Sequence, residues 1–317
     1  EVRAKDAYGN MAIERAEGKL FIDPSTDRIN GPDRYETAVE ISKAGWDSAD
    51  TVVIARGDDY ADALTGVPLA NYLDAPMLLT RSNELVDVTF AEIERLGATN
   101  VIILGGVKAV SASVEQQLVD AGFEVERIYG SDRYETAAEI AKRIAPQGTD
   151  KAVIVNGSNF VDALSVAPYA ASENMPILLT RADTLNSATE TALQQLGVNE
   201  TFVIGGKAAV SEEVMSSLTN PTRLGGATRY DTNIAVVEEF GEAVGEMFVA
   251  TDATFADALT GAVLAAKNNS GLLLVRDNVP TAVASFIEES LLLKLTLFGG
   301  ETAISAEVEN QLFDLLK

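Results

Sequence analysis

The sequence predicts an α/β fold: three tandem Rossmann-like or flavodoxin-like domains, each a parallel sheet covered by helices. Three observations predict it. Apolar runs of strand length alternate with amphipathic helical stretches, as in a parallel sheet buried on both faces. The pattern recurs three times at a spacing of roughly a hundred residues, too long for solenoid repeats and long enough for domains. The linkers are short, which predicts a compact, ring-like arrangement rather than a beaded chain.

The first repeat sets the plan. Arg28-Ile29 and a Gly31-Pro32-Asp33 turn lead into a helix from Arg34 to about Ala44, with Ala38, Ile41 and Ala44 on one face. Thr51 to Ala55 is an apolar run broken by Gly57-Asp58-Asp59, and a helix over about 61–73 follows. A strand at Met77–Thr80, a helix over about 86–96 and a strand at Val101–Leu104 come next. Gly105-Gly106 then leads to Ser111, the N-cap of a helix ending near Asp120. The repeats fall at residues 28–123, 124–220 and 221–317, with Asn220-Pro221 marking the second boundary. Residues 1–27 read as a β-type extension or the end of a preceding domain. Asp6 to Asn10 forms a turn between Val2-Arg3-Ala4 and Met11-Ala12-Ile13, and Leu20-Phe21-Ile22 resembles a strand.

Composition narrows the function. The chain has no Cys and no His, which excludes thiol nucleophiles, disulfides, Cys/His zinc sites and imidazole-based triads. The expectation is no enzyme, no cofactor and no metal site. The net charge is −24, with 14 Arg and 10 Lys against 48 acids, so nucleic acid is excluded as a partner. The acidity fits a solubility surface, adaptation to high salt where charge is screened within about 3 Å, or loose divalent-cation binding. No apolar run approaches the ~20 residues of a membrane span. The chain opens at Glu1 with neither Met nor a signal-type segment, which reads as a mature or excised sequence.

Three sets of polar residues recur. Arg34, Arg133 and Arg229 open the first helix of each repeat, followed by Tyr-Glu/Asp-Thr. An Arg there opposes the helix dipole and needs an anion, either an Asp or a ligand. Asp62, Asp162 and Asp257 lie in the first turn of the second helix, each two residues after an aromatic: Tyr60, Phe160 or Phe255. They read as dipole-offsetting residues or as the missing partners, and Arg34–Asp62, Arg133–Asp162 and Arg229–Asp257 are predicted as structural pairs within each repeat. Arg81, Arg181 and Arg276 follow a strand, where open sheets bind ligands, and read as ligand contacts or plain surface. The Gly-Gly turns at 105, 205 and 299 read as tight turns needing positive φ or, more weakly, as phosphate loops.

These residues resemble the cell-wall-binding repeat type 2 family over roughly 28–317. The features are Arg-Ile/Leu-x-Gly with Arg-Tyr-Glu/Asp-Thr, aromatic-x-Asp-Ala-Leu, the Leu-Leu strand, and Ile-x-Gly-Gly with a following Ser. The resemblance implies flattened Rossmann-like modules around a pseudo-threefold axis. It implies a non-catalytic, extracellular module on a prokaryotic cell surface that anchors a protein to an anionic cell-wall or envelope glycopolymer. The alternative is a surface-layer or filament subunit assembling with other protein chains. Carried over, the candidate polymer-binding residues are Arg81, Arg181 and Arg276 with Leu78, Leu79, Leu178 and Leu179. Repeat 3 departs at Gly271 (Pro76 and Pro176 elsewhere), at Thr228 (Asp33 and Asp132 elsewhere) and over Leu291–Leu295, which predicts lost polymer contacts or an added interface role.

Overall fold

A computed structural model describes residues 3–5, 11–13, 23–241 and 244–317. Strands β1 (Arg3–Lys5) and β2 (Met11–Ile13) pair antiparallel, and the expected turn at Asp6 to Asn10 lies outside the described residues. The Leu20-Phe21-Ile22 segment lies outside the described residues.

Repeat 1 comprises β3 (Ser25–Ile29), α1 (Arg34–Gly45), β4 (Thr51–Arg56), α2 (Ala61–Tyr72), β5 (Met77–Thr80), α3 (Asp87–Leu96), β6 (Asn100–Leu104) and α4 (Ala112–Asp120). Repeat 2 runs through β7 (Glu124–Ile128), α5 (Arg133–Ile144), β8 (Lys151–Asn156), α6 (Val161–Ser172), β9 (Ile177–Thr180), α7 (Ser187–Leu196), β10 (Glu200–Ile204) and α8 (Glu212–Ser216). Repeat 3 follows with β11 (Pro221–Leu224), α9 (Arg229–Phe240), β12 (Val244–Thr251), α10 (Ala256–Lys267), β13 (Leu272–Val275), α11 (Thr281–Glu289), β14 (Leu291–Phe298) and α12 (Ala306–Leu315). Gly97 and Gly197 end α3 and α7 in the left-handed conformation, which explains the Leu-Gly signal there.

Three four-stranded parallel sheets result, ordered β5-β4-β6-β7, β9-β8-β10-β11 and β13-β12-β14-β3. This is a flavodoxin-like order, but the fourth strand comes from elsewhere. The strand that opens each sequence repeat joins the sheet of the preceding one. β7 of repeat 2 completes the first sheet, β11 of repeat 3 the second, and β3 of repeat 1 pairs with β14 of repeat 3, Ile29 opposite Phe298. The ring is therefore closed by strand exchange at all three junctions.

An Arg on each exchanged strand fixes the exchange. Arg28, Arg127 and Arg223 donate to the carbonyl oxygens of Gly299, Gly105 and Gly205 at 2.7, 2.8 and 2.9 Å. Each also meets a Glu of the preceding repeat: Glu309, Glu115 or Glu212. The helices follow the same cyclic rule. α1 packs on α10, α5 on α2 and α9 on α6, while α2, α6 and α10 pack against one another around the axis. Those three helices are apolar nearly all round, as burial on every side requires. One continuous apolar core runs through all three repeats.

Candidate functional site

The carboxyl ends of the strands gather at one end of the axis. α2, α6 and α10 begin there, and the aromatic residue before each helix meets its two counterparts. Tyr60, Phe160 and Phe255 form a triangle with ring centroids 5.3, 5.7 and 5.9 Å apart. Such tilted and edge-to-face contacts favour the pairs beyond their buried area. The Tyr60 hydroxyl donates across to the Gly157 carbonyl at 3.1 Å.

The Asp residues just inside these helices sit at the junctions. Gly105, Gly205 and Gly299 have φ of +93°, +101° and +101°. A Cβ on them would lie 2.3, 2.6 and 2.5 Å from the carboxylates of Asp62, Asp162 and Asp257. Close approach and backbone conformation together require glycine there. Burial pushes the carboxyls of Asp62 and Asp257 up to about 6 and moves Asp162 up as well. At each Asp an Arg of the next repeat in the ring opposes this, joined at Asp62 by Arg56 of the same repeat. Arg133 faces Asp62, Arg229 faces Asp162, and Arg34 faces Asp257.

This corrects the predicted pairs. Among the described residues, Arg34–Asp62, Arg133–Asp162 and Arg229–Asp257 make no ion pair. The strand exchange carries each Arg-bearing helix onto the preceding repeat, so the Arg faces that repeat's Asp. The guanidinium itself is held by another group. Arg34 donates to the Gly57 carbonyl, and Arg133 donates to the Gly157 carbonyl at 2.6 Å. Arg34 and Arg133 also lie over the Phe255 and Tyr60 rings, at 5.9 and 5.4 Å.

The leucines of the strand motif are also placed differently from expectation. Leu78, Leu79, Leu178 and Leu179 are at most 1% exposed. Both faces of β5 and β9 are covered, so these side chains are core and cannot touch a polymer while the sheet is intact. The adjoining arginines do reach solvent. Arg81 lies over the Tyr35 ring at 5.6 Å, and Arg181 over the Tyr134 ring at 5.5 Å. Repeats 1 and 2 thus each stand an Arg on the Tyr of their own Arg-Tyr motif.

Repeat 3 differs at one residue the sequence reading passed over. Asp252 stands where the other repeats have Gly57 and Gly157, and all three backbone amides bond to the neighbouring strand in the same way. The Asp252 carboxylate accepts from Arg229 at 3.0 Å and from Arg276 at 2.5 Å. Its side chain is 0% exposed. Aligning the residue after the first inner strand of each repeat was the signal that could have found it. The other departures of repeat 3 are local solutions. Thr228 caps α9 in a capping box with Asp231. Gly271 leaves room for the buried Tyr169 of repeat 2, whose hydroxyl would lie 1.9 Å from a Cβ there. The extended β14 carries Lys294, which bridges Asp27 and Glu246.

Among the described residues, no group of His, Cys, Asp or Glu is arranged to hold a metal ion, and no helix is long and apolar enough to cross a membrane.

Comparison with known proteins agrees with this architecture. The model for cell wall binding domain 2 matches residues 28–115, 127–215 and 223–309, one match per repeat. The chain belongs to this family. It is 38% identical over 291 residues to the N-acetylmuramoyl-L-alanine amidase LytC of Bacillus subtilis (strain 168), covering 92% of the chain and 58% of that protein. It is 36% identical over 293 residues to the amidase enhancer of the same organism, covering 91% of the chain and 40% of the relative. Among solved structures, Cwp6 from Clostridium difficile superposes over the whole chain with a TM-score of 0.87 and 31% identity, covering 51% of Cwp6. Cwp8 from the same organism gives 0.84 and 29% over 92% of the chain. The chain spans about half the length of these relatives.

Proposed function

We propose that this chain is a non-catalytic module that anchors a surface protein non-covalently to an anionic cell-wall or envelope glycopolymer, outside the cell. The observation that carries this reading is the repetition of an exposed Arg on a Tyr at the carboxyl end of successive sheets, inside a closed ring of a cell-wall-binding family. Arg81 and Arg181 are the proposed contacts. Arg276 is held by Asp252 and is treated below. A repeating polymer that meets several weak sites at once gains avidity without any one site being tight. The absence of His and Cys leaves no thiol nucleophile and no imidazole base.

Co-sedimentation with isolated cell-wall sacculi tests this directly. The expected result is binding to sacculi that keep their anionic glycopolymer, weaker binding after its extraction, and no turnover of wall material. Self-association without sacculi, and no binding to them, would favour the surface-layer or filament subunit instead.

A further inference from the structure

The three rims are built to one plan, yet among the described residues only one closes on a buried anion of its own. In repeat 3 two guanidinium groups from different elements, Arg229 on α9 and Arg276 after β13, close on a single carboxylate. The Tyr230 hydroxyl faces the same carboxylate. Both Arg side chains are 41% exposed, so the clamp opens to solvent above a buried acid. The corresponding pairs are Arg34 with Arg81 and Arg133 with Arg181. Where Asp252 stands, these repeats have glycine, and the tyrosine ring lies close against its backbone. A Cβ on Gly57 would lie 2.8 Å from the Tyr35 ring, and one on Gly157 would lie 3.0 Å from the Tyr134 ring.

We propose that repeats 1 and 2 each present a site for one carboxylate or phosphate group, formed by Arg34 with Arg81 and by Arg133 with Arg181, and that Asp252 satisfies the third pair from within the chain. The internal carboxylate shows the class of ligand this arrangement accepts. A guanidinium offers five donors, and Arg34 and Arg133 spend few of theirs on a carbonyl. The pairs differ in what competes for them. Arg81 bonds Glu84 at 2.7 Å, in a pair more than half exposed that water screens. Thr184 takes the place of Glu84 in repeat 2, and Arg181 makes no ion pair among the described residues. The ion pair of Arg133 among the described residues is with Asp59, at 3.7 Å. The sites therefore rank repeat 2, repeat 1, then repeat 3, which is closed.

The biological ligand follows from the anchoring reading, but the anion sites are measurable without it. The full chain is titrated at low salt with inorganic phosphate, with glucuronate and with glucose, while side-chain Nε–H resonances of the arginines are followed by NMR. The Arg81 and Arg181 signals are expected to shift with phosphate, glucuronate or both, according to which anion the site prefers. Glucose moves neither signal. Arg276 stays still in the native chain and joins the others in Asp252→Gly. On sacculi, Gly157→Asp and Arg181→Ala each weaken binding by about tenfold, the loss expected for one charge-assisted hydrogen bond, while Arg276→Ala does not. Arg181 is exposed, so its variant folds even if Gly157→Asp does not. Equal shifts of Arg276 and Arg181 in the native chain would overturn the proposal, as would Arg81 and Arg181 signals unmoved by either anion. Anion shifts in a chain that ignores sacculi would leave these sites standing and remove the anchoring reading.

Discussion

Repeats 1 and 2 leave their rim arginines facing solvent and aromatic rings, whereas repeat 3 buries a carboxylate beneath its pair. At the junctions the same three repeats are alike: an Asp against a glycine of positive φ, an Arg of the next repeat facing it, and an exchanged strand pinned by a second Arg. The contrast separates two demands on the same residue types. The junctions must match because each carries a third of the ring. The rims need not, so repeat 3 carries Asp252 where the others carry glycine while its junctions keep the common plan.

The largest expected effects test the equality of the junctions. Gly105→Ala, Gly205→Ala and Gly299→Ala each force a Cβ into a carboxylate at positive φ and should cost about 3 kcal/mol, measured by denaturant unfolding. A wide spread among the three would break the claim of equivalence. Next comes pH. The carboxyls of Asp62 and Asp257 are raised from 3.8 to about 6 in the fold, so the folded chain binds protons more tightly than the unfolded one. Their stabilising contribution is full below about pH 3.8 and is lost as pH rises through about 6. Replacing Asp62 and Asp257 by Asn should flatten the melting temperature between those limits, removing on the order of 3 kcal/mol of pH dependence per residue. An unchanged slope would assign that dependence to other groups.

Smaller effects sharpen the contrast at the rims. Asp252→Asn should destabilise the chain by about 1–2 kcal/mol, because two charge-assisted bonds are weakened although both arginines still reach water. Arg81→Ala and Arg181→Ala should move stability by less than about 0.5 kcal/mol. If Arg181→Ala costs as much as Asp252→Asn, the two rims are structurally alike and the contrast fails.

Much of this was legible in the sequence. The apolar runs at Val52–Ala55 and Leu78-Leu79 gave the buried strands, and Ser111, Gly97 and Gly197 marked helix ends through chemistry local to them. The partners of Arg28-Ile29 were not legible, because a short strand carries no mark of which sheet it joins. The Arg–Asp pairing failed for a related reason. In a ring of three, a contact within each repeat and a contact with the next repeat recur at identical intervals, so repetition alone cannot tell Arg133–Asp162 from Arg133–Asp62. Leu78 and Leu79 were assigned to the ligand by resemblance although their own pattern, apolar on both faces, already placed them in the core.

The closing strand also constrains how such a protein can be inherited. β3 takes the β14 edge of the repeat 3 sheet, and α2, α6 and α10 fill the axis between them. A tandem duplication that added a single copy would find the β14 edge already paired and the centre already filled, and a deletion would leave both unfilled. Copy number is thus set by geometry at three. A chain cut before β7 or β11 instead of before β3, with its old ends joined, would keep every strand pair in the ring.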